Sequence, residues 1–151
     1  MLLNIALGAF MTLVTTGIHT GGMLVTISVM RKFRTLREHR LPRNRLYAHP
    51  HRVGGLVLLM FLVSVLEVTA WAGLYLVLHA IEGLEKAVYF SMVTFTTLGY
   101  GEIVLDERWR LLASFEAANG IIMFGWTTAI VIAVVQRIYF SPERDASRDA
   151  S

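Results

Sequence analysis

Apolar positions gather into three long runs along the chain, and the segments between them are polar in different ways. Residues 2–30 carry no charge and are interrupted only by Asn4, by scattered threonine, serine and glycine, and by His19. Residues 53–79 are equally apolar, with Gly54 and Gly55 at their start and Trp71 and Tyr75 toward their end, where amphipathic rings suit a membrane interface. A third run covers 109–138. About 20 apolar residues cross the hydrocarbon core of a bilayer, so each run predicts a spanning helix, with tilt taking up any excess. Pro42, Pro50 and Pro142 fall outside the runs, so no span carries a proline kink. Between the second and third runs, residues 85–102 are too short to cross and are expected to dip into the membrane and return.

Charge gives these runs a direction. The chain is 55% hydrophobic and 17% charged, which places it among membrane proteins. Its net charge of +3 hides a cluster: eight of the fourteen Lys and Arg residues lie in 31–52, from Arg31 to Arg52, opposed only by Glu38. Positive charge marks the cytoplasmic side, so the N-terminus is expected outside and the C-terminus inside. Five acids against Lys86 in 79–107 agree with that orientation. The connector charges are read first as topology determinants. In a second reading, Phe33, Leu36 and Leu41 let part of the connector lie on the surface, with arginines reaching anionic lipid phosphates. The first run lacks the positive start and short core of a secretory signal and is expected to be a retained helix. The tail, 141–151, is small, polar and charged, and is expected to be disordered.

One stretch inside the re-entrant segment carries chemistry: Thr96, Thr97, Leu98, Gly99, Tyr100 and Gly101, followed by Glu102. A dehydrated cation needs a ring of oxygens in place of water, and backbone carbonyls supply it if successive residues turn them toward one axis. That requires alternating dihedrals, some left-handed, which glycine adopts at least cost, as Gly99 and Gly101 would. The stretch resembles the selectivity filter of potassium channels. The usual family wording is T-V-G-Y-G-D after a short pore helix, and here T-L-G-Y-G-E follows V-Y-F-S-M-V-T-F-T. From about residue 53 to 138 the chain resembles the outer helix, pore loop and inner helix of that family, in a bacterial single-pore-loop form with an added N-terminal helix.

The resemblance implies potassium ions at the carbonyls of Thr97, Leu98, Gly99 and Tyr100, with the Thr97 hydroxyl closing the innermost site. It also implies that Gly101 shapes the outer mouth, that the Tyr100 ring packs away from the axis, and that Thr96 and Glu102 support the filter. Three departures stand out. Leu98 replaces valine, which changes packing behind the filter. Glu102 is one methylene longer than aspartate, which leaves its hydrogen bond to the pore helix open. Val93 is apolar where some bacterial relatives carry a glutamate coupled to that acid, so slow filter closure by such a pair is not expected.

In the third run, Gly120 and Gly125 fall where such channels often carry a bending glycine and a small pore-facing residue. Gly120 reads equally as a gating hinge or as a close-packing position. Ile121, Phe124, Gly125, Thr128 and Ile132 share one helical face and are the expected cavity lining. His19 and Glu67, about twelve and fifteen residues from the cytoplasmic ends of their spans, lie within about one helical turn of the same depth. Each should be neutral, partnered or hydrated, and Glu67 is expected to accept from His19 or Trp126, or from any local hydroxyl. Glu116 is expected near the pore-helix backbone. The first helix lacks the spaced arginines of a voltage sensor.

The expected fold is an all-α membrane protein with three transmembrane helices plus a re-entrant pore helix and filter loop. Its parts are a first helix 1–30, a connector 31–52, a pore domain 53–140 and a tail 141–151. It is expected to be a multi-pass subunit of the cell membrane that forms a homotetrameric potassium channel. A weakly selective cation channel and a non-conducting scaffold or regulatory subunit are the alternatives. No nucleophile, phosphate loop or metal spacing suggests an enzyme, and neither a cofactor nor a nucleic-acid partner is expected.

Overall fold

The computed structural model describes the backbone of residues 1–35 and 50–139. Among them are four helices, α1 Leu2–Thr35, α2 Pro50–Val77, α3 Leu84–Phe95 and α4 Arg110–Tyr139, and no strand. Three of the four are long and apolar enough to cross a membrane, so the chain is an all-α membrane protein of three spans and one short helix. Two of the helices reach into the basic connector, beyond the apolar runs. α1 continues to Thr35 and α2 begins at Pro50, where the missing N–H is one that a helix start leaves unpaired anyway. The rest of the basic connector, with its expected lipid contact, and the tail 141–151 lie outside the described residues.

At the Val77 end of α2 the chain turns through His79 (φ 51°) and Gly83 (φ 93°) before α3 begins. α3 packs against both α2 and α4. Trp71, Tyr75, Phe90, Phe95, Leu112 and Met123 form the apolar centre of that junction. Trp71 and Tyr75, read from sequence as interface aromatics, are fully buried there. The reason is that α3 covers this end of α2, with Phe90 meeting Tyr75 edge-on at 5.2 Å between ring centroids. A second cluster, Leu56, Met60 and Val63 with Val131 and Val134, joins the other ends of α2 and α4.

α1 lies against both α2 and α4. Its buried positions are Asn4, Gly8, Met11, Thr15, His19 and Thr26, spaced by three or four residues (or seven), while Phe10, Leu13 and Leu24 point outward. Lipid is as apolar as leucine, so such a helix is held by close packing and polar links. Gly8 provides the first: a Cβ there would stand 2.6 Å from the Phe115 ring. Gly22 provides a second, because a Cβ would run into the Val63 side chain. Polar links come from Asn4 Nδ2, which donates to the Arg108 carbonyl at 2.6 Å, and from Asn119 Nδ2, which donates to Thr15 Oγ1 at 2.8 Å.

Gly22→Ala should therefore cost about 1–3 kcal/mol through overpacking against the stiff Val63. Gly17→Ala, with open space around it, should be neutral or stabilise by up to about 1 kcal/mol. Denaturation of the detergent-solubilised protein checks both, and equal effects would contradict the packing described.

Candidate functional site

The segment after α3 owes its shape to the end of that helix. Twelve residues of helix extend about 18 Å, too little to cross the hydrocarbon core. The chain leaves α3 still tied to its last carbonyls. Thr97 N donates to Thr94 O at 2.9 Å, and Leu98 N and Gly99 N both donate to Val93 O, at 2.9 and 3.2 Å. Thr96 turns its hydroxyl back to Met92 O at 2.7 Å.

Beyond this point the backbone alternates. Thr97, Gly99 and Gly101 have φ of 59°, 57° and 79°, and Leu98 and Tyr100 between them do not enter the left-handed region. Gly99 and Gly101 take this conformation freely, whereas Thr97 takes it at a cost of about 1–2 kcal/mol. Residues 96–102 are exposed on the single chain, and Leu98 and Tyr100 are each more than half exposed.

Glu102 finds a partner on α3. Tyr89 Oη donates to Glu102 Oε2 at 2.6 Å, one turn before Val93. The pair crosses a cleft between α3 and the returning chain, lined also by Val93, Gly101 and Val104. This hydrogen bond to Glu102 raises the Tyr89 phenol above its ordinary pKa of 10.0, and the little desolvation there and the carboxylate's charge add to it.

α4 meets the end of α3 at Gly120. A Cβ on Gly120 would overlap the Phe95 carbonyl, so this glycine allows the two backbones to touch. α4 is continuous through that point. Phe124, one turn on, packs edge-on against Phe95 at 5.6 Å. Ile121, Phe124, Gly125, Thr128 and Ile132 all lie on an exposed face of α4, and Thr128 Oγ1 donates to Phe124 O at 2.8 Å. Asn119 and Met123 are buried.

Two buried carboxylates stand behind this face. Glu116 joins three helices: Tyr75 Oη of α2 donates to its Oε2 at 2.7 Å, and Ser91 Oγ of α3 lies 2.5 Å from its Oε1 and 2.8 Å from the Val68 carbonyl. It thus meets the short helix through a side chain, not through the backbone expected. Glu67 Oε1 lies 2.9 Å from His19 Nδ1, with both side chains inaccessible. The Trp126 ring lies tilted against His19, at 5.1 Å between ring centroids, and is not the partner of Glu67. Tyr89, Ser91, Thr15 and Asn119 were not singled out from sequence. Asn119, an amide inside an apolar span, carried a signal of its own; the other three are ordinary for their helices, and only the fold supplies each partner.

Because Glu102 favours the protonated phenol, Tyr89 should ionise later than a free tyrosine. The stability that this bond adds is present below the ordinary phenol range and is lost as pH rises through it. Absorbance titration of the wild type minus Tyr89→Phe should show this late phenol, and Glu102→Gln should bring it earlier. No difference between the two would remove the coupling.

The geometry described, a short helix and a left-handed loop held between two spanning helices, has a counterpart in sequence comparison. A family model described as "Ion channel" matches residues 56–137, which cover most of α2, all of α3 and the loop, and nearly all of α4. No curated protein and no solved structure matches the chain. The match takes in more than half of the residues, and the chain belongs to this ion-channel family.

Proposed function

We propose that the chain is one subunit of a homotetrameric, potassium-selective channel. The observation that carries this reading is the left-handed backbone at every second residue, Thr97, Gly99 and Gly101, directly after a helix too short to cross. Alternation of this kind is what aims successive carbonyls the same way, and carbonyl rings are what replace the hydration of potassium. One strand offers one oxygen per ring, so four copies about a closed axis are needed. The exposure of residues 96–102 and of the apolar face Ile121, Phe124 and Ile132 supports such an assembly, since these groups are left uncovered by the single chain.

In this reading potassium sheds water and passes between sites formed by the carbonyls of Thr97, Leu98, Gly99 and Tyr100, the Thr97 hydroxyl serving the innermost. Gly101, Thr96 and Glu102 hold the loop, the last through Tyr89. Ile121, Phe124, Gly125, Thr128 and Ile132 line the water-filled cavity below. Transport is passive and needs no cofactor. The N-terminus lies outside the cell membrane and the basic connector inside, beside anionic lipid.

Purified protein in liposomes should pass potassium in strong preference to sodium. Gly99→Ala, which puts a side chain at a φ of 57°, should abolish that flux. Equal potassium and sodium flux would reduce the reading to a weakly selective pore, and wild-type selectivity in the variant would overturn it.

A further inference from the structure

At the depth of Phe124 and Thr128, α1 brings a histidine into a site closed to solvent. His19 Nδ1 lies 2.9 Å from Glu67 Oε1 on α2, and its Nε2 lies 3.4 Å from Thr127 Oγ1 on α4. Both members of the pair are wholly inaccessible, and Glu67 Oε2 has no hydrogen-bond partner among the described residues. The groups facing His19 from the elements packed on it are Glu67 from α2 and the uncharged Trp126 and Thr127 from α4. The other buried acid, Glu116 of α4, is occupied by Tyr75 and Ser91.

We propose that the His19–Glu67 pair is a proton-responsive latch through which α1 holds the inner helix α4. In the neutral form of the pair, one proton lies between Nδ1 and Oε1, on either atom, and a second sits on Nε2, which donates to Thr127 Oγ1. Release of one proton to solvent leaves a net negative charge. The imidazole then keeps its Nδ1 proton for Glu67, Nε2 becomes an acceptor, and the Thr127 hydroxyl must turn round to donate. The proton count therefore sets the direction of the bond between α1 and α4. Release also leaves a carboxylate with one unpartnered oxygen where charge is penalised.

The neutral latch holds α4 straight, and loss of its proton as pH rises weakens the grip. Thr127 is the neighbour of Thr128 and faces α1, away from the exposed face of α4, so a change of grip moves that face. Proton binding and the position of α4 are then linked by one reciprocal factor. The consequence for flux rests on the channel reading, but the chemistry of the latch does not.

The test uses the full chain in liposomes over a pH series that runs from mildly acidic to alkaline. Potassium flux should rise at least about fivefold across it, the low end for a coupled site. His19→Gln with Glu67→Gln, which keeps two amides able to bond, should flatten the profile, and a profile shared by wild type and double variant overturns the latch. Trp126 fluorescence, taken as the difference from Trp126→Phe, gives a second readout independent of flux. It should step with pH in the wild type and not in the double variant. Should the wild type pass no potassium at any pH, the channel reading fails and the fluorescence decides the latch alone, a flat trace overturning it. Thr127→Val, which keeps the side-chain shape, should move the midpoint of the step and leave ion selectivity unchanged; an unmoved midpoint overturns the role given to Thr127.

Discussion

Backbone that is neither helix nor barrel strand survives at membrane depth only where protein or a watery cavity satisfies it. The loop from Thr97 to Gly101 is backbone of neither kind, set between two helices long and apolar enough to cross a membrane, and the contacts around it keep it in place. Its first amides return to the carbonyls of Thr94 and Val93, so the loop is an extension of α3. α3 in turn is held from three directions. Gly120 admits the Phe95 carbonyl against α4, Ser91 reaches both Glu116 and Val68, and Tyr89 crosses to Glu102 beyond the loop. A side chain at Gly120 would force the end of α3 away from α4 and take the loop with it.

The same low-dielectric setting explains α1. In lipid, an apolar helix has no hydrophobic reason to dock on other apolar helices. α1 docks because its buried stripe pairs small residues with bulky ones and polar residues with polar ones. Gly8 receives Phe115, Gly22 receives Val63, Asn4 and Thr15 meet Arg108 and Asn119, and His19 meets Glu67. Glu67 and Asn119 face α1 and would be unpaired in lipid without it. The helix that the simplest two-span arrangement lacks is therefore built into the polar interior of this one. Its link through Asn119 falls next to Gly120, so α1 also bears on the contact that positions α3.

Much of this was legible along the chain. Run length and the scarcity of charge defined the three spans, and the shortness of 85–102 excluded a fourth, because hydrocarbon thickness is a fixed ruler. The alternation of glycine around Tyr100 pointed to left-handed backbone, since few other residues accept it. Less was legible about Trp71 and Tyr75. An aromatic near the end of a span looks the same whether it faces headgroups or a neighbouring helix, and α3 covers both of these. Gly120 was legible as glycine, but nothing local to it reveals the carbonyl it meets.

What the sequence determined by itself, then, is set by local rules: which segments cross, which cannot, and where the backbone must turn left-handed. What only the tertiary structure decided is which polar groups meet. Thr15 with Asn119, Ser91 with Glu116, and Tyr89 with Glu102 are separated by 104, 25 and 13 residues. Such pairings depend on the rotation of each helix about its axis. In helices that are apolar on every side, no moment along the sequence specifies that rotation. It is settled by the few buried polar atoms finding one another when the helices pack.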